Sequence, residues 1–188
     1  MSDPTRSDDE LIEALHERVA ADGGDQCHAL ATSVEIARTE DELGFALPRL
    51  LRRIYTEVAD GGFGPAYGLF PINRRPGGPG QDESLVEAWK TLSEPPLPSG
   101  LLPICEWGCA IWSFLDCRTE RGHVITGGEV PFTDTGRDLR SWFAAWLSGV
   151  DLDKEMFEPG ARRASVNPFT KEPLVLVARG RPRGTPWS

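Results

Sequence analysis

Four sets of residues have the types and spacing from which chemistry could be built. Cys105-x3-Cys109-x7-Cys117, followed by His123, offers soft ligands to a metal ion. Structural zinc sites pair one Cys-x2–4-Cys knuckle with a matching second pair. The first pair here falls in that range and the second half does not match. Cys109 and Cys117 fall on or beside predicted strands, where cysteine behaves as a small buried hydrophobe. Reduced core thiols are therefore expected, with no metal, and no disulfide in a cytoplasmic chain. Gly61-Gly62-Phe63-Gly64 has the look of a phosphate loop. It follows a predicted helix instead of opening one and carries no Lys-Ser/Thr, so the mechanics of such a loop are missing. Arg49, Arg52 and Arg53 could also face a phosphate. They lie mostly off the apolar stripe of their helix, with Glu40, Asp41 and Glu42 across the turn, which reads as a balanced, solvated face. His123 opens a predicted strand, and a base needs a nucleophile within reach; none is signalled. No catalytic residue and no cofactor are expected.

The elements that would position these residues are legible from their punctuation. Ser7-x-x-Glu10 and Thr32-x-x-Glu35 are capping boxes that open helices. The first helix, Ser7 to Ala21, sets Leu11, Leu15 and Val19 on one face. The second ends at Leu43-Gly44, where glycine suits the position after a helix. Leu47-Pro48 opens a third helix with Leu50, Leu51, Ile54, Tyr55 and Val58 as its stripe, and Pro48 loses no bond there. Asp60-Gly61-Gly62 closes that helix in positive-φ geometry. Ala66 to Ile72 alternates as a strand would, Arg74 to Gly80 is a loop, and Glu83 to Leu92 is a short helix. Pro95-Pro96-x-Pro98 reads as a stiff spacer.

Leu101–Cys105 and Ala110–Cys117 are the clearest strands, joined by a turn carrying Glu106, Trp107 and Gly108. His123–Thr126 extends them into a meander. Asp138 to Leu147 closes the fold as a helix with Leu139, Trp142, Phe143 and Trp146 inward, and Gly149 stops it. Residues 151–188 differ in character: basic, rich in Pro and Gly, with a predicted hairpin over Val166–Val177 and a frayed end.

Three units follow: an N-terminal helix and linker over 1–31, an α+β domain over 32–152, and a hairpin and tail over 153–188. The domain has N-terminal helices, a central mostly antiparallel sheet and a closing C-terminal helix. No run reaches the roughly 18 apolar residues of a membrane helix, and the N-terminus lacks the features of a secretory signal, so a cytoplasmic protein with no membrane partner is expected. The net charge of −9 is uneven: −8 over residues 1–60, −3 over 61–150 and +2 over 151–188. An acidic body repels nucleic acid and can steer toward a basic partner.

Glu40-x-x-Leu43-Gly44-x-x-Leu47-Pro48, a helix, and then Asp60-Gly61-Gly62 resemble the entry motif of the SUKH superfamily, in its Smi/Knr branch. The family usually has Asn where Asp60 stands. Leu101–Trp112 is similar to the central strand pair of bacterial members, and Leu139-x-x-Trp142-x-x-x-Trp146-Leu147 to their closing helix. The resemblance covers roughly Thr32 to Leu152 and implies a small, non-catalytic protein-binding module. Many bacterial members are immunity proteins that bind and neutralise a toxin, and others are adaptors; the residues do not separate the two. Asn167-Pro168-Phe169-Thr170-Lys171-Glu172 also faintly resembles the DNA-clasping arm of histone-like proteins, but a nucleic-acid footprint needs a basic body, so no nucleic-acid partner is expected. For an immunity protein facing a nucleic-acid-targeting toxin, the expected contact surface is the sheet and its rim: Tyr67, Glu106, Trp107 and Asp116.

Overall fold

The computed structural model describes residues 7–23, 29–74, 83–93, 97–130 and 132–157. The predicted hairpin over 166–177, Cys27, and most of the loop after Arg74 lie outside them. Helix α1 spans Asp8–Gly23 and opens on the Ser7–Glu10 box, with each backbone N–H bonded to the other side chain at 2.8 and 3.2 Å. Leu11 and Leu15 are fully buried, so this helix lays its apolar face on the body of the protein. Helix α2, Ser33–Leu43, has the Thr32–Glu35 box at its start and Gly44 in left-handed geometry at its end, φ 77°.

The next helix is shorter and less regular than predicted. Helix α3 runs only from Arg49 to Arg53, and Ile54–Val58 continues it as one π-helical turn. A π-bulge widens the backbone to admit an extra residue. Ile54, Tyr55 and Val58 reach the core, as the apolar stripe predicts. The Tyr55 hydroxyl, fully buried, donates to the carbonyl of Phe70 at 2.7 Å, and burial holds its phenol well above the usual range.

Asp60 does not itself adopt the left-handed backbone; only Gly61 and Gly62 do, at φ 74° and 76°. Its carboxylate is fully buried and caps the following segment, accepting from the backbone of Ile72 at 2.6 Å, the backbone of Asn73 at 3.2 Å and the Asn73 amide at 3.0 Å. Helix α4, Leu85–Leu92, carries a Ser84–Glu87 capping box.

The sheet is a four-stranded antiparallel meander in the order β1-β2-β3-β4: Leu101–Gly108, Ile111–Asp116, His123–Gly128 and Thr133–Asp138. Two expectations about the sheet are corrected. Glu106, Trp107 and Gly108 belong to β1, and the turn is the two residues Cys109 and Ala110. Ala66–Ile72 is not a strand: Ala66 and Gly68 take positive φ, and only Leu69 bridges β1, at Cys105. The fourth strand was not anticipated.

Both faces of the sheet are covered. Leu102, Ile104, Cys105, Leu115 and Val124 meet the helices in the main core. Leu101, Phe114, Ile125 and Phe132 form a smaller cluster on the other side. Helix α5, Leu139–Leu147, closes the main core with Trp142 and Phe143, capped by Asp138 and Ser141. Burial pushes the Asp138 carboxyl up, but the hydrogen bonds from Ser141, aided by Arg121 and Arg140, leave it below its ordinary range. Helix α6 follows at Leu152–Phe157. No helix among the described residues is long and apolar enough to cross a membrane.

Candidate partner-binding surface

Glu40 and the glycines of the motif act as positioning devices. The Glu40 carboxylate accepts from the backbone of Leu47 at 2.7 Å and stands 2.7 Å from the Arg52 guanidinium, so one side chain ties α2 to α3 across the turn. Leu43, Leu47 and Pro48 are buried at that corner. Gly61 is packed backbone to backbone. A Cβ there would stand 2.7 Å from the Cα of Pro71 and 2.8 Å from the carbonyl oxygen of Leu69. The two passes of chain are stitched by Gly62 N–H to Leu69 O at 2.9 Å and Leu69 N–H to Phe63 O at 2.8 Å. This stitch delivers Tyr67 to the outer edge of β1.

At that edge three of the four expected contact residues come together. The Tyr67 backbone N–H donates to the carbonyl of Glu106 at 3.3 Å. Its hydroxyl lies over Gly108, 3.1 Å from where a Cβ would be. Tyr67 is 47% exposed. Glu106 and Trp107 are half-buried. The Trp107 indole N–H donates to the hydroxyl of Ser113 at 2.9 Å, across the hairpin, and its ring packs on the main core. Trp107 therefore presents one fixed edge and does not project freely.

Asp116 is the exception. Paired with Leu101, it lies at the opposite end of the hairpin. It is 6% exposed and its two oxygens are held by the Arg118 guanidinium at 2.7 Å each. A buried, ion-paired carboxylate is not available to a partner without breaking that pair.

Two residues stand at the edge against or outside expectation. Cys109 is exposed on the turn, not in the core. Cys109 and Ala110 both sit in the left-handed region, at φ 51° and 56°. This is the backbone of a two-residue type I′ hairpin without the Asn-Gly that normally signals it. Glu129, exposed, is anchored beside them by its N–H to Ala110 O at 2.9 Å; nothing in its neighbourhood of the sequence marks it. The other thiols differ. Cys105 is fully buried, and burial pushes its thiol up to about 12. Cys117 is half-buried beyond β2, its thiol likewise raised by burial. Among the described residues no three Cys, His, Asp or Glu side chains gather as metal ligands would.

The arginines of α3 are largely balanced. Arg53 holds Glu57 at 2.8 Å and Asp9 at 2.7 Å, and Arg52 faces Glu40. The bond from Arg53 keeps the Glu57 carboxyl below its usual range.

The motif corner, the glycine stitch, the strand pair and the closing helix all fall within residues 30–149, the segment matched by the sequence model of the SMI1/KNR4 family (SUKH-1). The chain belongs to that family. SUKH-1 proteins are generally protein-binding modules, not catalysts. The match covers α2 to α5, including the Tyr67–Trp107 edge. Helix α1 stands outside the match and adds Leu11 and Leu15 to the same core. No curated protein matches the chain in sequence.

Proposed function

We propose that this SUKH-1 chain is a bacterial, cytoplasmic immunity protein that neutralises a nucleic-acid-targeting toxin by stoichiometric binding. The observation that carries the reading is the edge at the β1–β2 hairpin, where Tyr67, Glu106, Trp107 and Glu129 stand together on a hydrogen-bonded backbone. A toxin that cleaves nucleic acid must hold phosphates in a basic cleft. Opposite charge gives the inhibitor speed and register, and aromatic anchors supply most of the affinity. The two consecutive left-handed residues at the tip fit this role, because backbone strain tends to collect where function needs a fixed shape. Asp116 is left out of the surface, since Arg118 occupies it.

The test is co-expression with the toxin encoded beside this gene. Rescue of growth is expected. Tyr67→Ala combined with Trp107→Ala should weaken the complex by about 2 kcal/mol or more. Glu106→Gln should chiefly slow association and reduce its salt dependence. Absence of a neighbouring toxin sinks the immunity reading and favours an adaptor binding another protein. Full rescue by the aromatic double variant leaves immunity standing and moves the surface elsewhere.

A further inference from the structure

The acidic edge accounts for one side of the molecule. On another, cations gather. A cavity of about 400 Å³ lies between α3, the turn after β2 and the start of α5. Its wall carries Arg49, Arg121 and Arg140 together with Asp8, Glu120 and Asp138. A smaller hollow shares Arg49 and Glu120 with it and adds Arg52 and Arg118.

Most of these charges are already engaged. Arg140 pairs with Asp8, Arg52 with Glu40 and Arg118 with Asp116. Asp138 caps α5 through Ser141. Glu120 accepts from the backbone N–H of Arg49 at 3.1 Å. The guanidiniums of Arg49 and Arg121 are left, both on exposed residues and both without an ion pair among the described residues. Arg121 acts on Asp138 through space only.

We propose that this groove receives a carboxylate side chain of a protein partner, held between Arg49 and Arg121. A guanidinium fork matches a carboxylate in plane and spacing. The three acids on the wall decide the class of anion. Against three arginines they leave almost no net field for a polyphosphate or a nucleic acid strand, whose successive charges would meet Asp8, Glu120 and Asp138. A single carboxylate brings one charge and needs only the two open guanidiniums that line the groove. The inference rests on the protein-binding reading, though not on the partner being a toxin, and its test uses no partner.

The full chain is titrated with the peptide acetyl-Gly-Glu-Gly-amide and followed by NMR at backbone amides and arginine Nε. Saturable shifts are expected at Arg49, Glu120 and Arg121, and none with acetyl-Gly-Gln-Gly-amide. Arg49→Gln and Arg121→Gln should each weaken binding about tenfold, as expected for one charge-assisted pair. Arg121→Lys, which keeps the charge but loses the fork, serves as a second variant should Arg121→Gln change the melting curve, and it too should weaken binding. No saturable shift with the Glu peptide, equal shifts with the Gln peptide, or tighter binding of pyrophosphate or an oligothymidylate at these residues would overturn the proposal. If instead toxin rescue fails while the titration succeeds, the immunity reading falls and the groove stands.

Discussion

The indole N–H of Trp107 and the hydroxyl of Ser113 meet at 2.9 Å across the β1–β2 hairpin. Ser113 is 1% exposed, so this bond is one a solvent molecule would not readily replace. Trp107 thus serves fold and surface together, and a binding defect in Trp107→Ala mixes the two. Trp107→Phe separates them. It keeps most of the ring burial and loses the hydrogen bond, which should lower stability by about 1 kcal/mol. In a Ser113→Ala background the same change should cost clearly less. Denaturant melts of the four proteins in this cycle measure the difference, and equal costs in both backgrounds would dissociate the bond from stability.

Glycines 44 and 61 share a left-handed backbone, at φ 77° and 74°, but not an environment. Nothing lies within 4 Å of a Cβ at Gly44, whereas Gly61 would drive one into Pro71 and Leu69 backbone. Gly44→Ala should lose only the conformational term, about 1 kcal/mol. Gly61→Ala and Gly61→Val should lose well over that, because neither neighbour is a side chain that can swing away. Similar melting points for Gly44→Ala and Gly61→Ala would remove the close-approach argument.

The three described cysteines should react in order of access. In a Cys27→Ser protein, Cys109 should be titrated by a thiol reagent under native conditions, and Cys105 only after unfolding. Both burial and the thiol held up to about 12 protect Cys105, because the thiolate is the nucleophile. Raising the pH from 7 to 9 should not bring Cys105 into the fast phase, since its deprotonation lies far above that window. Rapid labelling of Cys105 in folded protein would contradict the packing described for β1.

Ala110 sits at φ 56°. Ala110→Gly relieves a left-handed alanine at the second turn position, where glycine is the preferred residue. It should raise stability by roughly 0.5–1 kcal/mol, read as a higher melting point. If the strain serves recognition, the same change should loosen the tip and slow complex formation. An unchanged or lower melting point would argue that the turn is not strained.

Local signals were the readable ones. The Ser7–Glu10 and Thr32–Glu35 boxes, the Gly44 stop and the stripe of α5 are set within a few residues of chain, and each stands where its pattern places it. Ser84-x-x-Glu87 is an equally local signal of the same kind. What could not be read depends on distant partners. β4 is polar, Thr-Asp-Thr-Gly-Arg-Asp, and becomes a strand only because β3 offers its free edge. Ala66–Ile72 alternates like a strand, yet the approach of Gly61 to Pro71 and the bend at Gly68 forbid it. At the surface, Tyr67, Glu106 and Trp107 assemble because a loop folds back on β1. Asp116 is drawn away by Arg118, two residues on, a pairing that strand alternation alone does not suggest.

That fold-back has a further effect on the sheet. Phe70 N–H bonds the carbonyl of Ile104 at 2.9 Å and Tyr67 N–H reaches that of Glu106. From Ile104 to Glu106 the outer rim of β1 is therefore occupied by a segment too kinked to be a strand itself. An open rim invites another chain to add a strand of its own, the usual start of aggregation. Here the glycine stitch sheathes it from within. Molecules of this protein can crowd together in a cell without zipping edge to edge along β1, and whatever docks at the hairpin must be recognised by side chains, not by backbone pairing.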